Sequence, residues 1–196
     1  MASLNSCQKN IKRIFDFFLS LLLILILAIP ILVLVLIATI DTKKSGVFGQ
    51  ERIGQYGKHF KILKIRIYNE YGVLTGYGKF LNDNKLNEIL QLFNVLIGDM
   101  SFVGPRPDLP GFADKLKGDD RIVLSIKPGI TGPATITFIN EDKLLKNEID
   151  HQKYNNEVIW AEKIRLNKEY IVNYNFFNDI KYLFKTINAV CKFKKE

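Results

Sequence analysis

The sequence predicts an α/β fold in which an apolar N-terminal helix precedes a small globular domain. Residues 17–40 carry no charged side chain, short β-branched segments separated by glycines follow, and apolar residues then recur at helical spacing. We divide the chain into a membrane segment at 1–44, a globular domain at 45–175 and a basic amphipathic helix at 176–196.

The composition favours an anionic partner. The 196 residues include 28 Lys and Arg against 20 Asp and Glu, for a formal net charge of +8, which suits nucleic acid, acidic lipid or a phosphorylated ligand. Cys7 and Cys191 form neither a disulfide framework nor a metal motif, as is typical of a reducing compartment. His59 and His151 are isolated in sequence, and we assign them no role.

The apolar run at 17–40 exceeds the roughly 20 residues that a helix needs to cross the hydrocarbon layer, and no small-residue cleavage site follows it. Basic residues flank it on both sides: Lys9, Lys12 and Arg13 before, Lys43 and Lys44 after. Pro30 lies near its middle, where it removes a helical hydrogen bond. Two interpretations stay open: a re-entrant helix, broken at Pro30, with both ends on the cytoplasmic face, or an ordinary kinked span.

Five further elements are predicted after this run. The glycine-punctuated stretch at 46–68 predicts a β-hairpin. Apolar spacing predicts a helix over 84–97 that stops at Gly98, a loop with a short helix at 112–117, and a helix over 157–174. At the C-terminus, apolar residues at helical spacing with interspersed lysines predict an interfacial membrane helix. A surface helix docked on the core is the alternative.

Two short motifs suit phosphate binding. In "GPRP", residues 104–107, Pro105 and Pro107 restrict the backbone on both sides of Arg106, whose guanidinium could contact a phosphate through two hydrogen bonds. In "KPGITG", residues 127–132, glycines permit close backbone approach and Lys127 supplies charge. Either motif alone could equally be a stiff surface turn.

Taken together, the motifs resemble those of a known family, the bacterial monotopic phosphoglycosyl transferases, which initiate capsule, O-antigen and glycoprotein synthesis. The resemblance is dense over residues 12–133 and loose beyond them. The motifs that carry it, in order, are "KRIFD", the mid-run proline, "FGQERIG", "FKILKIR", "TGYGKFL", "LNEILQLFNVLIGDMSFVGPRP" and "KPGITG".

The resemblance implies a reaction and its participants. Such enzymes transfer a sugar-1-phosphate from a UDP-sugar to polyprenyl phosphate, usually undecaprenyl phosphate, and release UMP with the help of Mg²⁺. It implies a re-entrant helix broken at Pro30 and a location at the bacterial inner membrane, facing the cytoplasm and in contact with its lipids. It assigns Mg²⁺ to Glu88 and phosphates to Arg106 and Lys127, with Lys64, Arg66, Pro105 and Pro107 supporting the site.

One departure from the family bears directly on activity. The family has Leu-Asp-Glu where this chain has Leu86, Asn87 and Glu88, and the family aspartate is the nucleophile. An amide is a poor nucleophile beside a carboxylate. Three interpretations stay open: an introduced substitution, a natural variant in which the lipid phosphate attacks directly, or a catalytically silent relative that binds lipid or nucleotide as a scaffold.

Other predictions concern partners and the substrate end of the site. No nucleic-acid motif is present, so we expect no nucleic-acid partner; whether two copies form a homodimer stays open. The stretch at 133–144 departs from the family pattern, and Asn140 and Glu141 receive no role. Phe138, Tyr154 and Trp160 are candidates for a sugar or uracil pocket, although core packing is the favoured explanation.

Overall fold

The computed structural model describes residues 4–146 and 150–193 as eight α-helices and four short strands, with several 3₁₀ turns. The helices are α1 (Ser6–Thr42), α2 (Gly76–Asp83), α3 (Gln91–Ile97), α4 (Pro133–Thr137), α5 (Glu141–Lys146), α6 (His151–Tyr154), α7 (Trp160–Val172) and α8 (Phe176–Phe193). The strands are β1 (Val47–Ile53), β2 (His59–Ile65), β3 (Ser101–Val103) and β4 (Gly129–Thr131). The α/β class with an apolar N-terminal helix is confirmed.

Helix α1 is continuous over 37 residues, with Pro30 inside it. It begins at a capping box in which the Asn5 side chain accepts from Gln8 N and the Gln8 side chain accepts from Asn5 N. The predicted break into two helices at Pro30 is therefore wrong. A proline removes one backbone donor, which a long helix tolerates when the surrounding turns remain intact.

The "KRIFD" segment fastens α1 to the domain. Lys12 forms a buried ion pair with Asp179 of α8 at 2.6 Å, and Arg13 donates to the carbonyls of Val95 and Leu96 at the end of α3. Asp16 accepts from the Phe102 amide of β3. Two of the basic residues that precede the apolar run therefore serve in packing, so the flanking charge pattern has a structural cause besides membrane topology.

One side of α1 is exposed and apolar. By length and composition it could cross a membrane, and only 11% of its most apolar window is buried within the protein. This exposed surface is what a membrane-associated protein presents to lipid. Its members are Ile11, Ile14, Phe18, Leu22, Leu25, Ile26, Ile29, Leu32, Val33, Leu36, Ile37 and Ile40.

The predicted hairpin is confirmed and is held by α3. Strands β1 and β2 pair in antiparallel register from Val47 opposite Ile65 to Ile53 opposite His59. The buried Asn94 side chain of α3 accepts from Leu63 N and donates to Lys61 O. A single amide thus satisfies two backbone groups of β2 and fixes the hairpin against the helix.

A second, parallel pair of strands was not predicted. Strand β3 leads into the "GPRP" loop and β4 lies within "KPGITG", so the two motifs sit side by side. A side chain on Gly129 would collide with the Gly104 amide, and one on Gly104 would meet the Lys127 carbonyl. The glycines of "KPGITG" therefore permit close contact between the two loops. The sequence had instead predicted that these glycines allow the backbone to approach an anion.

The remaining helix predictions are confirmed in part. The stretch at 84–97 divides into a 3₁₀ turn at Leu86–Glu88 and α3, and Lys85 adopts a left-handed conformation with φ 58° just before the turn. Gly98, at φ 98°, ends α3 as predicted. The predicted helix at 112–117 is a 3₁₀ turn at Ala113–Lys115, and that at 157–174 appears as α7 after a π-helical segment at Asn155–Ile159.

The C-terminal amphipathic helix is present as α8. Tyr182 and Leu183 pack against the core, and Asp179 joins the buried ion pair with Lys12. Phe177, Phe184 and Ile187 are exposed on α8. Two of the lysines in this prediction, Lys194 and Lys195, lie outside the described residues.

Candidate active site

A cavity of about 560 Å³ lies between α1, the 3₁₀ turn at Leu86–Glu88, β4, α4, α7 and α8. Its volume falls within the range of roughly 300 to 1,000 Å³ that is typical of small-molecule sites. One part of its wall is apolar, including Leu23 and Leu27 of α1 and Val190 of α8. Another part carries charged groups: Glu88, Arg106, Asp108, Glu141 and Lys163.

Glu88 pairs with two of the predicted site residues. Its Oε1 atom accepts from Arg106 Nη2 at 3.0 Å and from Lys64 Nζ at 3.4 Å. Burial alone would raise the pKa of Glu88, but the two cations outweigh that effect and hold the pKa below its usual value. The carboxylate is therefore ionised at neutral pH. Burial lowers the pKa of Lys64, and the Glu88 charge partly offsets this.

Three different elements bring these groups together. Lys64 comes from β2, Glu88 from the 3₁₀ turn before α3, and Arg106 from the loop after β3. Proline neighbours and backbone bonds fix the Arg106 loop, since the Pro105 carbonyl accepts from Gly129 N and the Pro107 carbonyl accepts from Arg52 Nη1. The guanidinium of Arg106 is itself exposed, with 46% of its side-chain surface accessible, and can therefore contact a ligand.

Asn87 is buried and does not line the cavity. It is only 6% exposed, it is not among the residues that line the cavity, and its Oδ1 atom is buried without a hydrogen-bond partner in the described part of the chain. A buried acceptor left unpaired costs free energy. The position is thus next to the Glu88 cluster in sequence, while the amide itself is enclosed by protein.

Asp108 is the carboxylate that sequence reasoning missed. It lines the cavity, and its side chain makes no hydrogen bond or ion pair with the residues that the structure describes. Burial raises its pKa to about 6, against the opposing charges of Lys163, Arg52 and Arg106 and with a further upward contribution from Glu141. Its position directly after "GPRP" is the sequence signal that could have identified it.

The polar end of the cavity contains further groups without a predicted role. Glu141 pairs with Lys163 at 2.7 Å, and Asn167 of α7 lies beside them in the wall. Two of the three aromatic candidates, Phe138 and Trp160, also line the cavity. Tyr154, the third, is not among the lining residues.

Two predicted phosphate-site residues lie elsewhere. Arg66 donates to the Ser45 carbonyl at 2.7 Å and lies over the Phe48 ring. The Lys127 ammonium lies beside Gly98 and the Arg13 guanidinium, where burial and the Arg13 charge lower its pKa. Neither side chain lines the cavity, whereas Arg106 and Glu88 do.

The residues of this site could hold a hard divalent cation only together with a phosphate-bearing substrate. Among the described residues, no three His, Cys, Asp or Glu side chains are grouped closely enough to hold a metal by themselves. Glu88 offers a carboxylate, and the neighbouring Asn87 offers a buried amide oxygen without a partner. Mg²⁺ is commonly held by one or two carboxylates together with substrate phosphates, and Glu88 fits that pattern.

Comparison with known proteins identifies the family. The sequence profile described as bacterial sugar transferase matches residues 7–193. Similar proteins include the undecaprenyl-phosphate galactose phosphotransferase of Salmonella typhimurium, 29% identical over 93% of this chain and 40% of that protein. The UDP-galactose-lipid carrier transferase of Erwinia amylovora is 29% identical over 74% of this chain and 33% of its own length.

A shorter relative matches along most of its length. The exopolysaccharide production protein ExoY of Sinorhizobium fredii is 26% identical, over 92% of this chain and 85% of that protein. The chain spans 33% and 40% of the lengths of the Erwinia and Salmonella relatives, so it corresponds to one portion of those longer proteins. Because the family profile covers nearly the whole sequence, this chain belongs to the bacterial sugar transferase family.

Proposed function

We propose that the protein transfers a sugar-1-phosphate from a UDP-sugar to polyprenyl phosphate, giving polyprenyl-diphospho-sugar and UMP. The observation that carries this proposal is the charged cluster in which Glu88 pairs with Arg106 and Lys64. Glu88 and Arg106 line a cavity that also has apolar residues of α1 and α8 in its wall. A charged site for a diphosphate beside an apolar wall suits two substrates, one polar and one lipid. The names of the Salmonella and Erwinia relatives support the same reaction.

In the proposed step, an oxygen of the lipid phosphate attacks the β-phosphorus of the UDP-sugar. The bond between that phosphorus and the bridging oxygen breaks, and the bridging oxygen leaves with UMP. The Asn87 side chain does not act as the nucleophile, because an amide is a poor nucleophile. Arg106 and Lys64 would bind and orient the diphosphate, since phosphoryl transfer depends chiefly on positioning and on stabilisation of charge.

Glu88 would hold Mg²⁺, which when bound neutralises charge on the diphosphate. Its place beside two cations keeps the carboxylate ionised and therefore able to act as a ligand at neutral pH.

We also propose a monotopic arrangement at the cytoplasmic face of the bacterial inner membrane. Both ends of α1 contact the same domain: Arg13 binds the end of α3, and the Thr39 hydroxyl accepts from Gly46 N just before β1. A helix of 37 residues is about 55 Å long if straight, well beyond the hydrocarbon thickness of ~30 Å. Lying along the domain, it would enter lipid with its exposed apolar side.

Membrane topology can be tested with single cysteines in a Cys7→Ser, Cys191→Ser background. Cysteines in place of Asn10 and Lys44 should both react with an impermeant maleimide added to inside-out vesicles, and neither should react in right-side-out vesicles. Labelling of the two positions from opposite faces would contradict the monotopic arrangement.

Arg106→Ala should reduce UMP release from UDP-galactose and undecaprenyl phosphate on the order of 100-fold, because the substitution removes a preorganised cation from the diphosphate site. Membrane recovery should not change. Arg165→Ala is the matched control, since that arginine is exposed and pairs with Glu162 and Glu169 on α7. Turnover equal to that of the unmodified protein would remove Arg106 from the mechanism.

A binding-only scaffold is the second candidate function, and the enclosed amide of Asn87 favours it. Such a scaffold would bind polyprenyl phosphate or UDP-sugar without releasing UMP. Absence of UMP across a panel of UDP-sugars, together with measurable nucleotide binding, would favour the scaffold over the transferase.

A further inference from the structure

We propose that Asp108, Thr135 and Asn167 form the subsite that recognises the sugar ring of the nucleotide-sugar. The inference rests on the proposed function and assigns one region of the same cavity to one part of the substrate. All three residues line the cavity wall. They come from three elements: the loop after β3, α4 and α7.

The first argument is that these polar groups have no partner of their own. The Thr135 Oγ1 and Asn167 Oδ1 atoms are buried and have no hydrogen-bond partner in the described part of the chain, and Asn167 is only 8% exposed. The Asp108 carboxylate likewise makes no hydrogen bond or ion pair there. Buried polar groups in proteins are nearly always paired, so two buried unpaired oxygens beside a partly exposed carboxylate in one cavity indicate a polar ligand.

The second argument is the chemistry that these groups share. A carboxylate, an amide oxygen and a hydroxyl oxygen all accept hydrogen bonds, and a sugar ring presents several hydroxyl donors. An ionised phosphate has no donors to offer to these three acceptors. Trp160 and Phe138 add flat apolar surface to the same wall, against which the C–H groups of a sugar ring can pack.

The third argument is how charge divides along the cavity. Arg106 and Lys64 gather at Glu88, whereas Lys163 is already paired with Glu141 through both carboxylate oxygens at 2.7 Å. The cationic groups around Glu88 suit the diphosphate. Asp108, which also faces Arg106, and the unpaired acceptors of Thr135 and Asn167 suit the adjoining sugar.

The test compares sugar nucleotides with UDP, which lacks the sugar. For the purified protein in detergent micelles, titration calorimetry should give a dissociation constant for UDP-galactose or UDP-N-acetylgalactosamine about tenfold lower than for UDP, a contribution of ~1.4 kcal/mol from the sugar. Asp108→Ala and Asn167→Ala should each reduce that ratio to below about threefold. Asp119→Asn, at an exposed carboxylate outside the cavity, should leave the ratio unchanged.

Folding of the Asp108 variants has its own readout. Burial raises the pKa of Asp108 to about 6 from an ordinary 3.8. Its ionisation therefore lowers the free energy of unfolding as the pH rises from 3.8 to about 6, and the full loss of stability is reached above that range. Asp108→Asn should therefore melt roughly 5 °C higher than the unmodified protein at pH 7.5, and the difference should shrink towards pH 4.5. Arg52, Arg106, Lys163 and Glu141 are the charged groups that face it.

The outcomes separate this inference from the proposed function. If both sugar nucleotides bind no tighter than UDP, the sugar subsite is refuted while nucleotide binding stands. If the sugar contributes but neither alanine variant reduces its contribution, the sugar lies elsewhere and only the inference fails. If neither UDP nor any UDP-sugar binds, both the inference and the proposed function fall.

Discussion

Asn87→Asp should release UMP from a UDP-sugar in the absence of any lipid acceptor, in an amount that approaches one UMP per protein molecule. The unmodified protein should release UMP only when polyprenyl phosphate is present. With both substrates, we expect the variant to turn over on the order of 100-fold faster, which corresponds to ~2.7 kcal/mol off the barrier. Rapid-quench measurement of UMP, with and without undecaprenyl phosphate, checks both statements.

The physical reason is that an aspartate offers a second route. Its carboxylate oxygen can attack the β-phosphorus and form an acyl phosphate as UMP leaves, after which the lipid phosphate displaces the carboxylate. The new carboxylate would lie next to Glu88, and the positive charges of Lys64 and Arg106 at that cluster would offset the repulsion between the two. Because the Asn87 side chain is enclosed, the variant requires a shift of the 3₁₀ turn towards the cavity.

Asn82→Asp makes the same chemical change at an exposed position near the end of α2 and should leave UMP release unaltered. A burst of UMP from the unmodified protein without lipid would contradict direct attack, because some other group would then act as the nucleophile. An Asn87→Asp variant with no burst would show that position 87 does not reach the reacting phosphorus.

Asp179→Ala should lower the stability of the protein by roughly 3–5 kcal/mol, because it leaves the buried Lys12 ammonium without its partner. The side chains of Lys12 and Asp179 are 8% and 2% exposed, so water cannot replace the lost contact. Tyr170 and Tyr174, which donate to the same carboxylate, would lose an acceptor as well. For a chain of 196 residues, we expect a melting temperature lower by about 6–20 °C.

The Lys12–Asp179 pair joins α1 to α8, and both helices contribute residues to the cavity wall. Loss of the pair should therefore also destabilise the cavity. Asp120→Ala, which removes the more exposed pair with Lys168, should cost under about 1 kcal/mol. The double variant Lys12→Met, Asp179→Leu should recover part of the stability, because neither member of the pair remains as an unpaired charge, while the buried Asp16 carboxylate loses the nearby Lys12 charge. A shift in melting temperature of less than about 2 °C corresponds to a loss of stability of under ~1 kcal/mol. Such a result for Asp179→Ala would contradict the assigned role of the pair.

Several parts of the fold were accessible from local sequence signals. Alternating β-branched residues with glycine turns predicted the β1–β2 hairpin, and Gly98 marked the end of α3. Glu88, Arg106 and Lys64 were grouped in advance because the family motifs carry them, and the structure brings all three together. These predictions succeed because turn chemistry and motif order are properties of short segments.

Other features depend on contacts between distant segments and left no local signal. Strands β3 and β4 have three residues each, too few for an alternating pattern to identify them. Lys12 looked like a membrane-flanking charge because its partner, Asp179, lies far away in sequence. The predicted break at Pro30 was wrong because the loss of one hydrogen bond does not decide whether a long helix continues.

The sequence by itself determined that this chain has an apolar N-terminal helix, an α/β domain with the motifs of the sugar transferases, and an amide, Asn87, where the resemblance predicts an aspartate. Only the tertiary structure decided that Arg106 and Lys64 share Glu88, that Lys127 and Arg66 lie away from the cavity, and that the Asp108 carboxylate lines it without a hydrogen-bond or ion-pair partner in the described part of the chain. The physical reason is that a motif can be identified within a short segment of sequence. Burial and charge pairing, in contrast, depend on which distant segments come into contact when the chain folds.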